Sequence, residues 1–277
     1  MHSDLQTFDL PGGLFDGRRV YRQARFVPLT GHIEARIAAL GQRPLPDLER
    51  SIEILGCAVG LGPELKPDPG MARLLCLGDR QFLMLCLSSL AGGEAVWFHP
   101  QCAGCGRHFD IQVRWSQVPV KPGGAGYPLT QVQCGEEMLR FRIPNGLDEA
   151  SIRGQAYEQA VAILLMRCLV VDSDKQDAAA VIRSLTPAQI EKIEQSLDTA
   201  APDVGSRVDT QCPECGRPQV VVIPIDRPPE VAPLVLYKEI HLLAQQYGWR
   251  ESDILALPSW RRKLYIGIIE QARGFHG

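Results

Sequence analysis

Four cysteines stand in two matching frames, Cys102-Ala-Gly-Cys105-Gly106 and Cys212-Pro-Glu-Cys215-Gly216. A C-x-x-C turn puts two thiolates on one side of a tight bend. The glycine that follows lets backbone N–H groups approach and orient the sulfurs. Two such turns complete a tetrahedral four-sulfur shell, which is the chemistry of a Zn2+ site. With no position left for water, that ion is structural and not catalytic. The alternatives are two redox pairs, or two pairs sharing nothing. A redox C-x-x-C begins a helix after a strand, whereas both pairs here lead into β-rich runs, Phe109–Trp115 and the segment VVVIPI.

The separation of the two turns is the difficulty for a shared ion. About 106 residues lie between Cys105 and Cys212, where roughly 15–20 are usual. Loop-closure entropy grows only with the logarithm of length, so the longer loop costs about 1.5 kcal/mol more. Structural zinc contributes on the order of 10–16 kcal/mol in small peptides. One ion therefore tolerates the insertion. His99 and His108 flank the first turn, but four cysteines suffice, which leaves both histidines at the surface or behind the ligands.

The remaining cysteines, Cys57, Cys76, Cys86, Cys134 and Cys168, are mostly flanked by apolar residues, as in LLCLG and LMLCLSSL, and read as small core hydrophobes. No disulfide framework is expected from nine cysteines in a chain whose opening, MHSDLQTFDLPGG, lacks a secretory pattern. The apolar stretches near Leu74–Leu90 and Val161–Val171 are broken by charge or too short to cross about 30 Å of hydrocarbon. The expectation is a cytoplasmic protein with no membrane partner.

The 277 residues are 45% hydrophobic and 22% charged, as in a folded chain. A net charge of -3 gives no global attraction to nucleic acid. Local basic clusters exist, Arg18, Arg19, Arg22 and Arg25 at one end and Arg261, Arg262 and Lys263 at the other, but aromatic residues are sparse. There is no H-E-x-x-H, Walker loop, G-x-S-x-G elbow or dinucleotide-binding glycine pattern, so no enzyme and no small-molecule substrate are expected. Asp172, Asp174 and Asp177 lack the glycine and terminal glutamate of a calcium loop and read as a solvated helix end.

The elements that must position the cysteines follow from periodicity and turn residues. Gly12-Gly13 and Asp16-Gly17 predict turns between short strands. Thr30 reads as the N-cap of a helix ending at Gly41, and Leu48, Ile52, Leu55 and Val59 repeat at helical spacing. A helix over Asp79–Leu90 stops at Gly92-Gly93, then strands Ala95–Phe98 and Phe109–Trp115 enclose the first cysteine turn. A hairpin TQVQ-CGEE-MLRFRIP, one long helix from about Asp148 to Val171 and a helix opened by Thr186-Pro187 fill the insertion. Beyond a DRPPEVAP linker the chain is helical, with Leu236, Ile240, Leu243 and Ala244 on one face. The fold class is α+β: mainly helical, with short β-hairpins and a central four-cysteine zinc ribbon interrupted by a folded helical insertion. The divisions are 1–93, a ribbon from 94–116 plus 206–226, the insertion 117–205, and closing helices 230–277.

The C-terminal run KEIHLLAQQYGWRESDILALPSWRRKLYIGIIEQ resembles the end of bacteriophage baseplate and tail-assembly proteins, found also in phage-derived contractile injection systems. There a helix meets a Y-x-W turn, a short acidic helix ending in Leu-Pro and an arginine-rich closing helix. The matching residues are Tyr247, Gly248, Trp249, Asp253, Ile254, Leu255, Leu257, Pro258, Arg261, Arg262 and Tyr265. FDLP, FVPLTGHIEARI, the CAGCG and CPECG turns and FRIPNGLDEA are similar to zinc-containing members of the baseplate hub assembly chaperone family. The resemblance implies a non-enzymatic chaperone that binds hub, spike or tape-measure proteins, through a surface including Tyr247, Trp249, Arg261, Arg262 and Tyr265. A permanent baseplate subunit, which would be particle-associated, and a zinc-ribbon nucleic-acid-binding protein are the alternatives. Helix–helix packing, with Trp249 and Tyr265 buried and the arginines solvated, is the purely structural reading of the same residues.

Overall fold

The computed structural model describes residues 6–171, 177–225 and 233–274. Strands β1 (Thr7–Phe15) and β2 (Val20–Phe26) form an antiparallel hairpin. Its turn is organised by Asp16, whose carboxylate accepts from the Arg18 and Arg19 amides at 2.8 Å each. The Gly12-Gly13 turn predicted from sequence is replaced by a continuous strand with a register shift between Asp9 and Leu14. The two glycines serve close approach instead: their amides donate to the Asp79 carboxylate at 2.8 and 3.0 Å. A Cβ on Gly12 would stand 2.7 Å from the Tyr127 ring.

Helices α1 (Gly31–Gln42) and α2 (Asp47–Ala58) follow. Thr30 occupies the N-cap position of α1 without a side-chain cap bond, and it bridges to Pro258. Val59, predicted to extend α2, opens β3 (Val59–Leu61). That strand pairs with β2 and with β4 (Lys66–Pro67), completing a four-stranded sheet in the order β1-β2-β3-β4. The short α3 (Pro69–Ala72) is capped by Asp68, whose side chain accepts from the Gly70 amide. Next comes α4 (Leu77–Gly92), ended by Gly93 at φ 94°. Buried on more than one side, it contributes Leu83, Met84 and Leu87 to the first core with Leu14, Ile54 and Leu55, and Leu85 to a second.

Strands β5 (Ala95–Phe98) and β6 (Ile111–Arg114) pair as predicted around the first cysteine turn. Beyond β7 (Val120–Lys121), β8 (Leu129–Cys134) and β9 (Glu137–Arg142) form the expected hairpin. The single helix expected from Asp148 to Val171 is two, α5 (Gly146–Ser151) and α6 (Tyr157–Cys168). Gly154 at φ 72° sits between them, a left-handed conformation that ends the first segment. The start of α5 is a capping box between Asn145 and Asp148. Asp148 is fully buried and also accepts from Arg142 at 2.8 Å and Arg167 at 2.9 Å. These partners outweigh its burial and hold the carboxyl below its usual range.

Asp177 caps α7 (Ala178–Ser184), and the other two residues of the acidic patch, Asp172 and Asp174, lie outside the described residues. The predicted Thr186 cap of α8 (Pro187–Ala200) is a full capping box with Gln189. Phe141, Leu165, Cys168, Ile193 and Leu197 make the core of this region. Then β10 (Asp203–Val204) returns to pair with β7, and β11 (Arg207–Gln211) pairs with β12 (Pro218–Val222) around the second cysteine turn. The predicted linker falls outside the described residues except for Pro233. No described helix is long and apolar enough to cross a membrane.

The chain closes with α9 (Pro233–Tyr247), α10 (Glu251–Leu255) and α11 (Ser259–Gly274) around Leu236, Ile240, Leu243, Ile254 and Ile269. The solvated Arg262 expected from sequence is corrected here. Its side chain is 1% exposed; Nε donates to Glu239 at 2.9 Å, and the other guanidinium nitrogens reach the Leu257 carbonyl at 2.7 Å and the Glu34 carboxylate. Burial pushes the Glu34 carboxyl up against the opposing pull of Arg262. Removing one member of a buried ion set costs about 3–5 kcal/mol because the other charges stay buried. Arg262→Met should lower the urea-unfolding free energy by that amount, whereas Arg261→Met, on the exposed side, should change it by less than about 0.5 kcal/mol.

Candidate metal centre

Each cysteine turn closes the end of a hairpin, and the two are built alike. In the first, the Cys102 amide donates to the Arg107 carbonyl at 2.8 Å and the Gly106 amide to the Cys102 carbonyl at 2.9 Å. In the second, Cys212 donates to the Arg217 carbonyl at 3.1 Å and Gly216 to the Cys212 carbonyl at 2.9 Å. Gly106 and Gly216 take φ of 73° and 70°, left-handed values that a side chain disfavours, which explains the glycine after each second cysteine. The leading cysteines, Cys102 and Cys212, are buried, and the trailing ones, Cys105 and Cys215, are exposed.

All four sulfurs lie within 4.8 Å of one another. Cys102 Sγ is 3.7 Å from Cys215 Sγ, and Cys105 Sγ is 3.8 Å from Cys212 Sγ. Those spacings are far longer than a disulfide bond of about 2.05 Å. Sulfurs held tetrahedrally at about 2.3 Å from zinc are about 3.8 Å apart. The donor set is thus compatible with a zinc ion.

The electrostatics fit the same occupant. Amides of Cys105 and Gly104 pointing at Cys102 hold its thiol down at about 6. The Arg217 amide lowers Cys215 in the same way, yet local desolvation and the sulfurs of Cys102, Cys105 and Cys212 leave it raised to about 11. Crowded thiolates oppose one another's ionisation, and a bound dication reverses that opposition. Gln219 Oε1 accepts from the Ala103 amide at 3.1 Å, while its Nε2 is a buried donor without an acceptor beside the sulfur-rich turn.

Other contacts lock the turns together. Arg107 pairs with Glu214 at 2.6 Å, and Phe109 packs with Cys102 and Cys212. The aliphatic stem of Arg217 lies over Gly104, where a Cβ would come within 2.6 Å of it. Arg107 and Arg217 hold equivalent places in a repeated Cys-Gly-Arg, a sequence signal for these supporting residues. Behind the turns, Val113, Val118, Val204, Ile223 and Ile225 form one core that also takes Leu85 from α4. His99 pairs with Asp110 at 2.6 Å and His108 contacts the His99 carbonyl, so both are occupied at the surface. The lone cysteines Cys57, Cys76, Cys86, Cys134 and Cys168 are all buried, and burial pushes Cys86 and Cys168 up to about 12.

The residues proposed from sequence as a partner surface gather elsewhere, in the C-terminal cluster. Tyr247 stacks on Trp249 with centroids 4.9 Å apart, and Tyr265 meets both edge-on at 5.8 and 5.0 Å. Trp249 and Tyr265 are half-buried, Tyr247 is 37% exposed, and Arg261 is exposed with its guanidinium 6.0 Å from the Trp260 ring.

Full-length protein loaded with Zn2+ should carry one ion per chain by metal analysis, and Co2+ in its place should show the visible bands of a tetrahedral thiolate site. Cys102→Ser should bring the content well below one and lower Tm, since a ligand that binds only the folded state stabilises it. Wild-type protein with far less than one ion and an unchanged Tm after chelation would exclude the metal.

No curated protein and no solved structure matches this chain. The family model described as T4 bacteriophage base plate protein matches residues 66–225. That segment begins at β4, includes both cysteine turns and everything between them, and exceeds half of the 277 residues. On this match the chain belongs to the T4 bacteriophage base plate protein family.

Proposed function

We propose that this protein is a non-enzymatic assembly factor for the baseplate hub or tail of a contractile phage or phage-like injection system. The observation that carries the proposal is the baseplate family match, which spans both cysteine turns and the insertion. A zinc ion on Cys102, Cys105, Cys212 and Cys215 acts as a structural clamp in this reading. Four sulfur ligands leave it no open position for a substrate or an activated water. Other baseplate components are the partners, with hub, spike or tape-measure proteins foremost. The C-terminal helices supply a contact surface around Tyr247, Trp249, Arg261 and Tyr265, with Arg262 holding α11 in place.

Two of the basic residues that the nucleic-acid alternative would use are taken up inside the protein: the Arg25 guanidinium donates to the Leu65 carbonyl, and Arg262 is buried between carboxylates. Quantitative mass spectrometry of purified particles tests assembly factor against permanent subunit. An assembly factor is absent or present in trace, and cells lacking it accumulate unassembled hub components. A fixed stoichiometric share of this chain in finished baseplates would instead establish the subunit.

A further inference from the structure

Helix α11 buries Arg262 and Ile269 on one side and turns Trp260, Leu264 and Ile268 to the other, 47%, 59% and 49% exposed. Spaced four residues apart, these three form a continuous apolar stripe opposite the core. Gly267 beside the stripe has open space where a Cβ would stand, so another backbone can approach there. Lys263 and Glu270 are both exposed on one flank, two turns apart, and neither has an ion-pair partner among the described residues. At its start the stripe meets a groove of about 380 Å³ between Phe26, Pro28, Leu90, Trp260 and Lys263, whose lining among the described residues includes no carboxylate.

We infer that this face binds a second copy of the same chain, α11 against α11 in antiparallel orientation about a two-fold axis. The pattern is self-complementary. When Leu264 faces Ile268 of the second copy, residue numbers in contact sum to about 532, and Lys263 then falls within about one residue, roughly 1.5 Å of rise, of Glu270 of the second copy. The two-fold repeats that ion pair, as an isologous contact requires. The crossing falls beside Gly267, and the far end of the second helix lies toward the groove. A parallel arrangement in register would leave Lys263 seven residues, about 10 Å of rise, from Glu270 of the second copy, and the pair would not form. Three half-exposed side chains per copy bury only a few hundred Å², below the roughly 1,200 Å² of a stable interface, so the dimer is weak and concentration-dependent. This inference is independent of the assembly role proposed above.

Sedimentation equilibrium of the zinc-loaded full chain, from about 1 to about 200 μM, should show monomer passing to dimer in this weak class of contact. Leu264→Glu should weaken dimerisation more than about tenfold, by placing charge in the contact. Lys263→Glu and Glu270→Lys should each weaken it by about threefold to tenfold, and the double exchange should recover most of the loss, because the pair is restored with its sign reversed. All three positions are exposed, so far-UV circular dichroism and Tm should stay at wild-type values. A monomer throughout the range, dimerisation indifferent to Leu264→Glu, or a double variant no better than the single ones would overturn the proposal.

Discussion

Two hairpins that lie about 106 residues apart in the chain must bring four sulfurs to within 4.8 Å, and the middle of the molecule is arranged around that requirement. Backbone bonds shape each turn separately, but the Arg107–Glu214 pair, the Ala103–Gln219 bond and Phe109 are contacts across the gap. They close only when the intervening region has folded back on itself. The β7–β10 ladder, Asp203 opposite Lys121 and Val204 opposite Val120, does this just inside the hairpins and narrows the mouth of the insertion. The entropy of a long loop is thus met largely by folded structure and not by the sulfurs alone.

Buried polar groups perform the same task between the other parts. Asp79 on α4 accepts from Gly12 and Gly13 of β1, and Tyr127, at the start of the insertion, donates to the Gly13 carbonyl at 2.6 Å. Arg80, one residue on, pairs with Glu149 of α5 at 2.6 Å. Arg262 joins α1, α9 and α11. Each group holds segments that are remote in sequence, and each is costly to leave unpaired, which favours one arrangement of the parts over nearby alternatives. Burial raises the Asp79 carboxyl, and its two amide partners pull the other way without cancelling that effect.

Local chemistry was the legible part of this sequence. The cysteine turns, their flanking strands and the Thr186-Pro187 helix start each depend on neighbours within a few residues, and all appear where the residue types place them. Gly12-Gly13 read as a turn because glycine pairs usually make one; their use here, to admit Asp79, depends on a residue 67 positions away. Gly154 lies inside an apolar helical pattern, and a lone glycine there does not announce a break. Arg262 looked solvated in an arginine-rich run, since its partner Glu34 is 228 residues distant. Of the motifs behind the sequence resemblance, the C-terminal helices fall outside the segment the family model matches and the two cysteine turns fall inside it, so the family rests on the middle of the chain.

The position of the insertion between the two cysteine turns also has a temporal side. During synthesis Cys102 and Cys105 emerge first, and Cys212 and Cys215 follow only after about 106 further residues, on the order of ten seconds at roughly 5–20 residues per second. A metal ion meeting the first pair alone finds two of four ligands and no partner turn. On the zinc reading proposed above, tight binding waits for the second pair and for the insertion that delivers it, so the four-sulfur centre is filled only after the middle of the chain has been made.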